Sequence, residues 1–315
     1  MNSSYLDEVL KAFSGYVVVD ELYEGPYCVL FAVDNRQDKR LLYEVLDHDA
    51  KAEDVEALLF RLKTALAARS LSLKGITTDG SALYPEAIKK VFGAVPHQVC
   101  RFHVIAELVK GVLKAVAAER KKLAASAPKL KRGRPSTKDK QAQRLAQQSK
   151  QIKQKISDLY RDRFLFVKRR MSPAEHTRLL FITRSLPQLR KLRQVMDQVY
   201  TLFDRRCRCH TAVAKLATLG AGLKRVSWLK ESLKKIFSPQ FEQALTYLDD
   251  KLLPSTSNAV ERANRRHRKM QKSVYRVRSQ DRLVDRIALD MFRDVYTPER
   301  EQTIQALHDA RRGFT

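Results

Sequence analysis

Three carboxylates in this chain stand where an acid is costly or conspicuous. Asp20 follows three valines in VVVDELY, and Asp79 immediately precedes Gly80 in ITTDGS. Glu261 is the single acid in PSTSNAVERANRRHRKM, among Arg262, Arg265, Arg266, Arg268 and Lys269. Carboxylates are rarely buried unless paired, protonated or bound to metal. Three hard oxygen ligands suit Mg2+ or Mn2+. Two such ions, about 3.5–4 Å apart, clamp the attacking and leaving oxygens of a phosphodiester during in-line displacement. Glu261, Arg265, Arg268 and Lys272 fall near one face of a helix. Together with Arg262, Arg266 and Lys269 they form a candidate strip for backbone phosphates, which positions a duplex without reading its sequence.

Each acid also has a local reading. Asn258 or Ser257 can cap a helix here; Glu261 lies three residues after Asn258, the capping-box position, and an acid in a first turn suits the helix dipole. Asp79 can close a turn by accepting a following backbone N–H. The local reading of Asp20 is weaker, because no turn begins there for three more residues. On a strand it shares a face with Val18 and Leu22, while Glu21 points the other way. The chemical reading requires the acids to meet, so it depends on the elements that carry them.

Residues 15–23 and 27–34 predict strands rich in β-branched residues, joined by a turn at EGP. A third strand follows over 39–47 after NRQD. Short turns between successive strands imply antiparallel neighbours. Residues 52–70 carry Val55, Leu58, Leu59, Leu62 and Leu66 at helical spacing. LKGITTD predicts a fourth strand that Asp79 closes, and YPEAIKKVFG a short helix. A fifth strand over 97–104 runs into a helix through about residue 124. The order βββαβαβ with a further helix predicts a mixed α/β sheet flanked by helices. If the first and fourth strands are neighbours, Asp20 and Asp79 converge at strand ends, where α/β sites form. A late helix then brings Glu261 from the side.

The composition changes after residue 125. SAPKLKRGRPSTKDK is a basic linker. Its Arg132-Gly133-Arg134-Pro135 is either an extended segment for an A·T minor groove or a solvated loop. The pattern is helical to about residue 250. One segment starts at Pro187 and places Leu189, Leu192, Met196, Val199 and Phe203 on one face. The expected organisation is therefore 1–124 and 251–297 as two parts of one catalytic domain, 125–250 as basic linker and helical insertion, and 298–315 as a tail.

The 315 residues are 44% hydrophobic, enough for a real core, and carry a formal net charge of +26. That excess points to a polyanionic partner, nucleic acid before an anionic membrane surface. No apolar run is long enough to span a bilayer, and the first residues lack the pattern of a signal peptide, so the expected address is cytoplasmic. Four cysteines, Cys28, Cys100, Cys207 and Cys209, are too few and too spread for a disulfide framework.

Taken together, these stretches resemble the catalytic region of DDE transposases from bacterial insertion sequences. The resemblance rests on Asp20 in VVVDELY, Asp79 in ITTDGSALYPEAI, Glu261 in TSNAVERANRRHRK, and Cys100-Arg101-Phe102-His103 as a Cys-x-x-His element. It covers about residues 15–296, the insertion matching only in character. It implies a ribonuclease-H-like fold, a late helix bearing the catalytic Glu and a helical insertion before it. It also implies double-stranded DNA as partner, at element ends and target, assembly as a homo-oligomer on DNA, and a nucleoid-associated location. Members often show Glu-Gly at the third acid, where this chain has Glu261-Arg262; the change adds charge and removes no ligand. Nineteen residues precede Asp20. They leave out the end-recognition region usual in the family, so the expectation is a fragment, a split partner served by a separate end-recognition subunit, or a decayed relic.

His103 has two readings: near the acids and touching the scissile strand, as the resemblance implies, or with Cys100 in a structural Zn2+ site. In the latter, Cys207, Cys209 and His210 from RRCRCHTAV complete the ligands. Buried thiols with ordinary polar contacts explain the same spacing. Trp228, the only tryptophan, reads as a core anchor beside Leu229 and Leu233 or as a stacking platform for an unpaired base. The function expected is metal-dependent DNA cleavage and strand transfer. Its rivals are a transposase-derived binding protein without catalysis, a nuclease of the same fold that never joins strands, and a basic structural protein.

Overall fold

The computed structural model describes residues 3–130, 139–224, 233–272, 277–297, 299, 301–302, 304–305 and 309. The chain divides into two compact units, Met1–His103 with Asp249–Thr315, and Val104–Leu248.

The first unit is built on one sheet. β1 (Tyr16–Glu24), β2 (Tyr27–Asp34), β3 (Lys39–Leu46), β4 (Gly75–Thr78) and β5 (His97–Val99) lie in the order β3-β2-β1-β4-β5. β1 pairs antiparallel with β2, and β2 with β3, while β4 runs parallel to β1 and β5 parallel to β4. Glu24 faces Tyr27, so Gly25 and Pro26 form a two-residue loop, with Gly25 at φ 64. A glycine with positive φ followed by a residue of fixed negative φ suits the primed hairpin turn that matches strand twist. At the next turn Asp34 is only 1% exposed. Its carboxylate accepts from Ser14 N (2.8 Å), Ser14 Oγ (2.6 Å), Arg36 N (2.9 Å) and Gln37 N (3.0 Å). This buried acid is thus fully committed to holding a turn.

Helix α1 (Ser3–Leu10) precedes the sheet, α2 (Ala52–Ala67) makes the crossover from β3 to β4, and α3 (Tyr84–Phe92) joins β4 to β5. α2 buries Val55, Leu58, Leu59, Leu62 and Leu66, the face its apolar spacing predicts. α1 buries Tyr5, Val9 and Leu10, a pattern too short for periodicity to reveal. The fifth strand stops at Val99 rather than 104, because α4 (Arg101–Ala125) already begins at Arg101.

α4 carries the chain into the second unit, whose described elements are all helical. The composition break at 125 is not the packing break. Arg120 Nε donates to Ile156 O (3.3 Å) and its guanidinium lies over the Tyr160 ring, so the body of α4 belongs with the helices that follow. These are α5 (Lys140–Arg161), α6 (Pro173–Ile182), α7 (Pro187–Leu202), α8 (Cys209–Lys224) and α9 (Pro239–Gln243). α7 buries Leu189, Leu192, Val195, Met196, Val199 and Leu202. Arg193, also buried, donates to Leu165 O (3.0 Å) and Lys168 O (2.7 Å) and pairs with Asp197.

The chain returns to the first unit at Asp249 and continues through α10 (Asn258–Gln271) and α11 (Gln280–Tyr296). Ala259, Val260 and Ala263 of α10 and Leu283, Ile287 and Met291 of α11 join the core with the sheet. Buried Arg40 on β3 ties α11 down through Asp290 (2.8 Å) and Asp294 (2.5 Å). A Cβ at Gly75 would meet Leu253 Cδ1 at 2.8 Å and Tyr16 Cδ1 at 3.2 Å, so these side chains pack directly on its backbone. A five-stranded mixed sheet of this order, flanked by helices and interrupted by a helical insertion, is the ribonuclease-H-like architecture.

His97 gives the sheet a pH dependence. Its Nε2 lies 2.9 Å from Thr78 Oγ1. Burial lowers the imidazole pKa to about 4, from 6.5, so the folded protein holds it neutral. A depressed folded pKa means the unfolded chain takes up the proton first. The stability His97 contributes is therefore complete above about pH 6.5 and is lost as pH falls through about 4. The loss is on the order of 3 kcal/mol. In urea melts across this window, His97→Gln should have a shallower acid limb than the parent. Parallel limbs would mean that His97 contributes nothing to the slope.

Candidate active site

The parallel register of β1 and β4 decides where the two aspartates go. Val18 pairs with Thr77, so two residues further along both strands Asp20 is level with Asp79. β4 ends at Thr78, and Gly80 at φ 98 turns the chain away. Asp79 Oδ1 accepts from Ser81 N (2.8 Å). The turn contact expected for Asp79 is therefore made, and the carboxylate still has a second oxygen.

Glu21 corrects the strand-alternation expectation. One oxygen each of Asp20, Glu21 and Asp79 lie within 4.8 Å of one another. Alternation fails here because β4 has already ended, leaving the longer Glu21 side chain free to bend over the end of the sheet. Tyr84, fully buried at the start of α3, donates its hydroxyl to Glu21 Oε2. Burial, with Glu21 beside it, pushes the phenol pKa well up.

This crowding is visible in the acids. Burial first, then the charges of Asp79 and Glu21, raise the Asp20 pKa to about 7; His103 opposes the shift and Glu261 adds to it. Burial also raises Glu21, against the hydrogen bond from Tyr84. Asn264, in the middle of α10, donates Nδ2 to Asp20 Oδ2 (2.8 Å). Its own Oδ1 is buried without a hydrogen-bond partner.

The position of Glu261 is set by the four residues before its helix. Thr77 Oγ1 donates to Pro254 O (3.3 Å), Arg101 N to Ser255 O (2.9 Å) and Asn35 Nδ2 to Thr256 O (3.2 Å). Ser257 N donates to Cys100 Sγ (3.4 Å), and Ser257 Oγ to Glu261 Oε1 (3.1 Å). The segment is thereby laced to the ends of β2, β4 and β5. The capping box expected for Glu261 does not form. Ser257, not Asn258, is the N-cap, and Glu261 is the fourth residue of the helix, one past the box position. Its carboxylate meets a hydroxyl and faces the neighbouring site rather than satisfying the helix backbone.

Cys100, His103 and Glu261 form a second cluster, with ligand atoms again within 4.8 Å of one another. Hydrogen bonding to Cys100 raises the His103 pKa to about 9, against its burial and with help from Asp79 and Glu261. Burial pushes the Cys100 thiol up, but hydrogen bonds from His103 and Ser257 outweigh it and the net direction is down. Electrostatically, Asp20, Asp79, Glu261 and His103 thus share one site, with Glu261 on the Cys100–His103 side.

The basic strip divides. Arg262 pairs with Asp38, and Arg266 with Asp294. Arg265, Arg268, Lys269 and Lys272 are exposed. His267 is buried edge-on against Phe31 at 6.1 Å. Cys207, Cys209 and His210 lie in the other unit, before and at the start of α8, apart from Cys100 and His103 in the division of the chain. Arg132, Arg134 and Trp228 fall outside the described residues.

The family model described as DDE_Tnp_ISL3, Transposase, matches residues 17–287. The chain belongs to this transposase family. No curated protein matches the chain. Among the described residues, no helix is long and apolar enough to cross a membrane. The transposase assignment gives the two clusters a context, and their donor chemistry fits a divalent cation. A cation would relieve the burial and charge crowding that raise Asp20 and Glu21.

Sequence reasoning missed Glu21, Tyr84 and Asn264 at the site, and reads Ser257 as a possible cap without its contacts to Cys100 and Glu261. Asn264 had a usable signal: it lies three residues after Glu261, close to the same helix face. Tyr84 follows Asp79 by five residues and opens the next helix, which places it beside the strand end.

Proposed function

We propose that this protein cuts and joins DNA by in-line displacement at phosphorus. The observation that carries the reading is the meeting of Asp20 and Asp79 at the ends of adjacent parallel strands, with Glu261 fixed beside them through Ser257. Asp20, Asp79 and Glu261 would hold Mg2+ or Mn2+, with Glu21 at hand as a further oxygen donor. Bound cations would stabilise charge on the attacking and leaving oxygens. The attacking group is water in cleavage and a DNA 3′-hydroxyl in joining. In each case one phosphorus–oxygen bond forms as the bond to the departing strand oxygen breaks. Asn264 holds Asp20 in place through Oδ2. His103, cationic at neutral pH, would contact the scissile strand as an electrostatic partner.

The test is cleavage of candidate element-end DNA with and without Mg2+, followed by strand transfer from a precleaved 3′-hydroxyl end. Binding without metal-dependent cleavage would favour a noncatalytic DNA-binding protein. Cleavage without joining would favour a nuclease. The same assays can be run with an end-recognition subunit added and with the oligomeric state measured on DNA.

DNA affinity should depend steeply on salt, because neutralising phosphates releases counterions. Arg265 and Arg268 are exposed on the strip beside Glu261. Replacing both with alanine should weaken binding to unrelated sequences about equally and flatten the log–log salt slope by about 2. KCl titrations on two unrelated duplexes measure this. An unchanged slope, or a loss confined to one duplex, would remove these arginines from the phosphate contacts.

A further inference from the structure

The two ligand clusters differ in kind. Asp20, Glu21 and Asp79 offer oxygen alone, whereas Cys100, His103 and Glu261 offer sulfur, nitrogen and oxygen. Hard Mg2+ takes the first set and has no use for a thiolate, while a sulfur–nitrogen–oxygen set selects Zn2+ among common divalent ions. Three protein ligands with a fourth position open is a recurrent zinc arrangement. We propose that Cys100, His103 and Glu261 form a separate Zn2+ site that withdraws Glu261 from the catalytic oxygens and so inhibits the transposase. The claim of inhibition rests on the catalytic role proposed for Glu261; the claim of a metal site does not.

Three observations support the site beyond the donor types. First, the ligand atoms already lie within 4.8 Å of one another. Tetrahedral coordination with bonds of about 2.0–2.3 Å needs separations of roughly 3.5 Å, within reach of small side-chain rotations. Second, the outer contacts of a metal site are in place. Ser257 donates its N–H to Cys100 Sγ (3.4 Å) and its hydroxyl to Glu261 Oε1 (3.1 Å), so one residue orients two ligands. Third, His103 Nδ1 is buried without a hydrogen-bond partner. Cys100 directly precedes α4, and Glu261 lies in the first turn of α10. Both anionic ligands therefore lie at helix N-termini, which favour negative charge.

The site differs from the zinc arrangement that would also recruit Cys207, Cys209 and His210. It needs no ligand from the helical unit. Co2+ distinguishes the two by absorbance, since thiolate coordination gives a sulfur-to-metal charge-transfer band. The full chain is titrated with Co2+ under reducing conditions, without DNA. One equivalent should develop the band in the parent and in the double variant Cys207→Ser, Cys209→Ser. Cys100→Ser should lack it. Because Ser257 also leans on Cys100, two further variants guard against misfolding. His103→Gln and Glu261→Gln should each keep the band but weaken Co2+ affinity about 10–100-fold. Zn2+ should bleach the band and excess Mg2+ should not. No band in the parent, a band that follows Cys207 and Cys209, or unchanged affinity in Glu261→Gln would each overturn the site. For inhibition, one equivalent of Zn2+ should slow Mg2+-dependent cleavage by about tenfold or more. Undiminished cleavage with the band already bleached would overturn inhibition while leaving the site standing. A parent that never cuts would refute the proposed function instead, and the absorbance result would be unaffected.

Discussion

Glu261→Gln is expected to abolish cleavage and joining in Mg2+ while leaving the fold and duplex binding close to the parent. The helix does not depend on this carboxylate, because Ser257 is the N-cap and no capping box involves Glu261. Glutamine keeps an oxygen that can accept from Ser257 Oγ, so the one local contact survives. Any stability cost should stay below ~1 kcal/mol. What disappears is the charge. An amide is a poor ligand for a hard cation, and stabilisation of charge on the transferring phosphoryl group falls with it. A loss of at least ~10³-fold in cleavage rate is expected. Arg265 and Arg268 are untouched and continue to hold phosphates. DNA affinity, thermal midpoint and end-cleavage rate, all from one preparation whose parent cuts, decide the matter. A variant that cuts as fast as the parent would show that α10 brings a basic surface and no catalytic group.

The contrast between Glu261 and Asp34 shows why the acids of this fold could be sorted only partly from sequence. Asp20 and Asp79 were legible as a pair. The valine-rich run of β1 and the ITTD ending of β4 predict strands, and parallel neighbours necessarily bring their ends level. The buried face of α2 followed from spacing alone. Glu21 was not legible, because strand alternation sends it away from Asp20. It joins the site only because β4 stops at Thr78 and Tyr84 waits beyond, which is a fact of tertiary structure. Glu261 was noticed for its basic neighbours, but its nearest contact was misassigned. A capping box is a local rule, and Ser257 obeys a distant contact instead, to Cys100, 157 positions earlier. The basic stretch that begins near residue 125 is a feature of composition rather than of packing. Composition marks where the chain becomes basic, whereas α4 commits to its partners from Val104.

Asp20→Asn should remove catalysis and yet make the metal-free protein more stable at alkaline pH. The parent carries a penalty at this position. Burial and the nearby charges of Asp79 and Glu21 raise the Asp20 pKa to about 7, from 3.8. A raised folded pKa means that the folded state holds its proton longer than the unfolded chain. The stability Asp20 contributes is therefore complete below about pH 4 and is lost as pH rises through about 7. Asparagine has no charge to desolvate, and its oxygen still accepts from Asn264 Nδ2, as Asp20 Oδ2 does at 2.8 Å. At pH 8 without divalent ions, the variant should be more stable by on the order of 4 kcal/mol, a midpoint several degrees higher. At pH 4 the two should melt together. Saturating Mg2+ should narrow or reverse the gap at pH 8, because a cation that binds the parent's carboxylates stabilises only the protein that has them. Cleavage should fall at least ~10³-fold whatever the melting temperature. Paired melts at pH 4 and pH 8, with and without Mg2+, measure both halves of the claim. If the variant melts below the parent at pH 8 without metal, Asp20 is a stabilising hydrogen-bond acceptor, and the crowding of acids at the end of the sheet costs the fold nothing.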